Sequence, residues 1–179
     1  MTNAARTAEH FRNRGAAARR AHEAVTTAFA TRLRERDPVA YDGLLRTFHA
    51  AVAAALPSSD PQFFANLARA NPRFVEAAIA FLEADPRFFR SGYEKQMLIR
   101  HLKRIPLGDR QRERLGRVVL DAIDGKLWNG HLRHYARLAC GVWTDALDAA
   151  VAERMTSLDL GVQQRATRVA QTAIDAGKA

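Results

Sequence analysis

The sequence predicts an all-α fold, an irregular helical solenoid or an orthogonal bundle of about eight or nine helices, on three observations. Apolar residues recur at spacings of three and four along the chain, with almost no period-two alternation. Four pairs, Asp37-Pro38, Asp60-Pro61, Asn71-Pro72 and Asp85-Pro86, punctuate the first half. Each can place a side-chain acceptor at a helix N-cap and a proline at the first helical position, where its missing N–H costs nothing. The composition, 179 residues with 47% hydrophobic and 26% charged, suits a chain with its own core rather than a disordered one.

Taken in order, a long helix is expected near 3–36, with sparse apolar residues (Phe11, Val25, Phe29, Leu33), so that residues 1–20 can also be read as a basic arm. Helices over 38–55, 60–70 and 72–84 follow from the first three proline pairs. Asp85-Pro86 reads as a fourth start, and the aromatics after Pro61, Pro72 and Pro86 read as core anchors. Ser91-Gly92-Tyr93-Glu94 has the form of a capping box opening a helix over 91–105. Asp109, after Pro106-Leu107-Gly108, caps 109–124, Gly125 and Gly130 bracket a turn, and 131–141 comes next. Thr144 opens 144–156 and Asp159 opens 159–176. No linker divides the chain, so residues 1–179 read as one helical domain.

Leu132, Ala136, Ala139 and Cys140 align, thirty positions on, with Val162, Ala166, Val169 and Ala170. This pattern, clearest in DLGVQQRATRVAQTAI, resembles the second helix of HEAT repeats over about the last third of the chain. The resemblance implies stacked antiparallel helix pairs with a curved surface. The shorter, irregularly spaced helices of the first half depart from it.

The net charge of +9 is concentrated in two segments. Residues 1–36 sum to +5, 37–84 to −2, 85–117 to +6 and 118–179 to zero. Arginine outnumbers lysine 24 to 4, a ratio that a GC-rich bacterial genome also produces. A clustered basic surface suits phosphates, acidic proteins or anionic lipid, against the plain alternative of a solvated face. The apolar runs fall well short of the ~20 residues of a membrane span, and no secretory signal is legible. A single cysteine fits a reducing, cytoplasmic setting.

The stretch DGKLWNGHLRHYARLACGVW holds two tryptophans, two histidines and the cysteine. His131 and His134 are three apart, but zinc takes three or four protein ligands and Cys140 falls across the helical wheel from His131. The expectation is a scaffold helix with a basic outer face, no metal and no cofactor. Cys140 reads as buried, with Trp128 and Trp143 packing the helix ends.

In 91–105, Tyr93, Met97, Leu98, Leu102 and Ile105 read as the apolar face with His101 packed among them, and Arg100, Lys103 and Arg104 as the opposite stripe. In 109–124, Arg110, Arg114 and Arg117 read as an outer stripe, with Arg112 at its flank. Basic residues in a first helical turn oppose the helix dipole, so an anion near Arg110 and Arg112 is one expectation, and reversing Arg110 and Arg114 should leave the fold intact. With Arg133 and Arg137, these residues form the expected anion site. The function this supports is a non-enzymatic scaffold binding nucleic acid (DNA or RNA) through phosphates. The alternatives are an adaptor for an acidic or apolar protein, and an enzyme acting on nucleic acid, with Asp124, Tyr135 or Asp145 as its chemical groups.

Overall fold

The computed structural model describes residues 3–126 and 132–178, and these are helical, with no strand among them. Trp128, Gly130 and His131 lie outside the described residues. The order is α1 (Asn3–Ala30), α2 (Leu33–Arg36), α3 (Pro38–Ala55), a short 3-10 turn (Pro57–Ser59), α4 (Phe63–Ala68), α5 (Pro72–Ala84), α6 (Ser91–Leu102), α7 (Asp109–Ile123), α8 (Leu132–Val142), α9 (Asp145–Met155) and α10 (Leu160–Asp175).

Four of the starts are set by local side-chain caps. The Asp37 carboxylate accepts from the Ala40 N–H, Asn71 Oδ1 from Arg73 N–H, Thr144 Oγ1 from Leu147 N–H, and Asp159 from Gly161 and Val162. Each satisfies donors that a helix N-terminus leaves orphaned. The predicted long first helix divides instead. Arg32 enters the left-handed region (φ 54°), which ends α1 and starts the single turn of α2. Asp60 accepts from Gln62 N–H, but its proline opens a turn and α4 starts only at Phe63.

One expected start and two expected caps are corrected; for α7 the N-cap is Gly108, with Asp109 the first residue inside the helix. Asp85 is the C-cap of α5 in the left-handed region (φ 41°), and Pro86 begins the non-helical segment after it. A proline just past a left-handed cap is an equally good stop signal, because it cannot continue a helix. Ser91 and Glu94 do not form a capping box either. Ser91 Oγ donates to the Phe88 carbonyl, while the Glu94 carboxylate accepts from Ser58 N–H and Oγ–H, 36 residues upstream.

One large apolar cluster is formed by α5 to α10 with α4 and the start of α1. Ala8 and Phe11 of α1 are buried in it, with Phe11 set edge-on to the fully buried Phe81 at 5.2 Å. A smaller cluster, Ala18, Phe48, Val52 and Ala55, joins α1 to α3. Gly15 of α1 lies where Pro86 crosses, and a Cβ there would meet the Pro86 Cβ at 2.7 Å. In the C-terminal half α7 packs on α8 and α9 on α10, with α8 against α10. Trp143 packs against the main cluster.

Candidate functional site

The buried face of α6 is rotated from the expected one. Leu98, Ile99 and Leu102 are buried, together with Ser91, Gly92, Glu94 and Lys95, whereas Tyr93 is 73% exposed and Met97 is at the surface. The rotation follows from two polar anchors: Glu94 turned to Ser58, and the buried Lys95 Nζ donating to Asp85 Oδ1 at 2.6 Å. Burial lowers the pKa of Lys95, and the Asp85 partner works against that. His101 is half-buried and stacks on Phe64 at 5.0 Å, as a packing histidine. Burial and then the charges of Arg104 and Arg100 hold its pKa below the usual range.

The C-terminal end of α6 faces α8, where the two helices come close. A Cβ on Gly141 would lie 3.5 Å from the Lys103 Cα. Between them runs a groove of about 360 Å³ lined by Gln96, Met97, Ile99, Arg100, Lys103, Arg104, His134 and Arg137. Four of the eight expected site residues therefore meet in one place. Arg100, Lys103, Arg104 and Arg137 are exposed, and among the described residues no carboxylate lies within salt-bridge distance of any of them. Beyond Lys103 and Arg137 the depression continues to Lys178 after α10, beside Cys140 and Asp175.

Toward the N-terminus of α6 a wider recess of about 950 Å³ opens, lined by Arg87, Arg90 and Arg133 with Phe89 and Tyr93. Gln96 lines both hollows and joins them. Arg133, expected as an extension of the basic surface, takes its place here, with Nε donating to His134 Nε2 at 3.2 Å. Arg87 and Arg90 are cations that the sequence reading did not single out. Their segment, 86–90, was expected to begin a helix buried by its aromatics, and instead Phe89 is 54% exposed.

The α7 arginines are not part of this site. Arg114, expected on the outer face, is buried. Its guanidinium forks onto both oxygens of Glu83 at 2.7 Å and reaches Glu76. Its hydrogen bonds to Glu83 and Glu76 outweigh burial and raise its pKa, so it stays charged. Arg117 pairs with Glu113 at 2.7 Å within the helix. Arg112 reaches back to Asp109 at 2.7 Å, Gln111 Oε1 accepts from Gly108 N–H, and the charge of Arg110 acts on Glu76. The first turn of α7 thus has acidic partners of its own, and its arginines require no bound anion.

The groups considered for chemistry lie elsewhere. Asp124 is clamped by Arg154 at 2.7 and 3.1 Å and by Lys126. The hydrogen bond from Arg154, with the other cation, holds its pKa down against burial. Tyr135 is buried and burial pushes its pKa up, while Asp145 is exposed in the first turn of α9. Cys140 is half-buried, its thiol donating to the Ala136 and Thr172 carbonyls, with its pKa raised by burial. A thiol in that state is a packed group rather than a nucleophile. No cluster of three metal-ligating side chains occurs among the described residues, and no described helix is long and apolar enough to cross a membrane.

No family model, curated protein or solved structure matches this chain.

Proposed function

We propose that this protein binds nucleic acid along the α6–α8 groove, chiefly through phosphates. The observation that supports this reading is the convergence of Arg100, Lys103, Arg104 and Arg137 from two helices into a groove whose described lining holds no carboxylate. Four unpaired cations so close together repel one another, and a polyanion laid between them relieves that repulsion while releasing its own counterions. Guanidinium groups suit the task, because their planar donors match phosphate oxygens in pairs. Contacts of this kind position a backbone and carry little sequence information. The packed pairs α7/α8 and α9/α10 supply the rigid support.

The test is a titration of labelled duplex DNA and RNA over a range of salt. With Arg133 included, five phosphate contacts predict a log–log salt slope of about −4.5 on duplex DNA. Reversing Arg100, Arg104 and Arg137 to Glu is expected to weaken binding on the order of 100-fold or more at low salt. Salt-insensitive binding, or none at low ionic strength, would overturn the reading.

A second reading, a scaffold for an acidic amphipathic protein segment, draws on a different observation. The side of α6 facing α3 is an apolar groove lined by Phe48, Val52, Leu56, Tyr93 and Met97, with Arg90 at its edge. Binding of an acidic helical peptide that survives the groove reversals would favour it.

A further inference from the structure

We infer that the nucleic acid taken by this groove is single-stranded, with an unpaired base stacked on Tyr93 in the recess at the N-terminal end of α6. This rests on the nucleic-acid reading above and narrows its substrate class. Its starting point is an asymmetry between the two hollows: the α6–α8 groove is basic, whereas the adjoining recess combines cations with exposed aromatic faces.

Tyr93 is 73% exposed and takes part in no ring contact with another described aromatic residue, so its face is open. Phe89 is also exposed but braced, stacked near His22 at 6.2 Å and tilted against Phe48 at 5.7 Å. Such a rigid, partly open aromatic wall costs little ordering when a flat ligand arrives. Arg90 and Arg133 line the same recess, whose described lining holds no carboxylate; of the two acids nearest in sequence, Asp85 is paired with Arg87 and Lys95, and Glu94 accepts from Ser58. Arg90 holds the left-handed conformation (φ 71°), a backbone state that favours glycine or asparagine. Local stability therefore does not explain an arginine at that position.

The two hollows are in register along α6. Tyr93, Met97, Arg100 and Arg104 follow at i, i+4, i+7 and i+11, which places them on one stripe of the helix and its C-terminal extension. At 1.5 Å per residue, Tyr93 and Arg100 stand about 10 Å apart along the axis. A chain leaving a stacked base at Tyr93 meets Gln96, which lines both hollows, and then the four cations. In a duplex the base faces are covered by their neighbours, so only an unpaired strand offers a face to Tyr93 and phosphates to the groove together.

The experiment uses the full chain and a labelled strand of about 20 nucleotides, longer than one such site, alone and annealed to its complement. The single strand is expected to bind at least tenfold more tightly than the duplex. Tyr93→Ala should weaken single-strand binding about 10- to 100-fold and leave duplex binding unchanged, while Tyr93→Trp preserves it. A fluorescent base analogue in the strand should be quenched on binding to the wild type and not to Tyr93→Ala. Tyr93 is exposed, so a melting curve matching the parent is expected for both variants.

If strand and duplex bind alike, or Tyr93→Ala has no effect or weakens both equally, this inference is overturned and the phosphate-binding reading stands. If neither nucleic acid binds at low salt, or only an acidic peptide does, both fall together.

Discussion

At the scale of single residues, long-range partners decide what an arginine or a glutamate is for. Arg114 and Arg117 are adjacent members of one helical stripe, and nothing in the sequence around them separates the buried one from the exposed one. The difference lies in Glu76 and Glu83, 38 and 31 residues upstream, which α5 presents to α7. Arg114→Ala is expected to destabilise the fold by about 2 kcal/mol or more, because it strands two partly covered carboxylates, and to leave nucleic-acid affinity unchanged. Chemical denaturation with a binding titration checks both halves. The pH dependence carries two opposite signs. Burial raises the Glu76 carboxyl, but bonds from Gln111 and Arg114 more than offset it, so its pKa is lowered. Its contribution is present above the unfolded value and is lost as pH falls below about 4. Glu94 is the reverse, since burial outweighs the bonds from Ser58 and raises its pKa. Stability tied to its protonated form is lost as pH rises through that raised value. Glu94→Gln should therefore flatten the decline in melting temperature on the alkaline side of Glu94's titration. An unchanged pH profile would show that Glu94 does not titrate differently on folding.

At the scale of elements, the sequence was most legible where the signal is local. The bounds of α3 and α5 and the starts of α9 and α10 follow from cap residues and prolines that act within four positions. Legibility failed where one local signal serves two structures, as with Asp85-Pro86, which can open a helix or close one. It also failed for the face of α6, whose rotation is set by Ser58 and Asp85 rather than by its own apolar spacing. The glycines provide a test of how packing overrides propensity. Gly15 and Gly43 both lie inside helices, and an alanine is favoured over glycine there by about 1 kcal/mol. Gly43 has only the end of the Arg46 side chain nearby, at 3.9 Å, so Gly43→Ala should stabilise the protein by about 0.5–1 kcal/mol. At Gly15 the new methyl meets the rigid Pro86 ring at 2.7 Å, and Gly15→Ala should instead destabilise by about 1–2 kcal/mol net. It should also displace the 86–90 segment that carries Phe89 and Arg90, weakening binding. Equal effects of the two substitutions on stability would mean that α1 can move away from Pro86 freely.

At the scale of the whole molecule, a net charge of +9 says that polyanions are attracted but not where they settle. The sequence located the basic segment 85–117 and named Arg100, Lys103, Arg104, Arg133 and Arg137. It could not show that α6 turns its cations toward α8 while α7 ties its own to acids. Two sets of reversals separate overall attraction from a localised site. Arg100→Glu, Arg104→Glu and Arg137→Glu remove three unpaired cations from the groove. Arg110→Glu, Arg112→Glu and Arg117→Glu remove three from the outer side of α7. Both triples change the net charge by the same amount, so long-range attraction, screened over roughly 8–10 Å at ordinary salt, falls about equally. Contact with phosphate does not. The groove triple is expected to lower the salt slope by roughly three contacts and to abolish binding at moderate salt, whereas the α7 triple keeps the parental slope and loses only a few-fold in affinity. Neither set should unfold the protein. The groove residues have no carboxylate partner to lose. In α7, acids at positions 110 and 112 favour the dipole by about 0.3–1 kcal/mol each, against the repulsion of positions 112 and 117 with Asp109 and Glu113, about 0.2–0.5 kcal/mol per pair. Thermal melting establishes that both variants are folded, and anisotropy titrations at three or more salt concentrations give the slopes. Equal losses from the two triples would mean that the chain attracts nucleic acid by net charge alone, and the groove between α6 and α8 would lose its standing as the site.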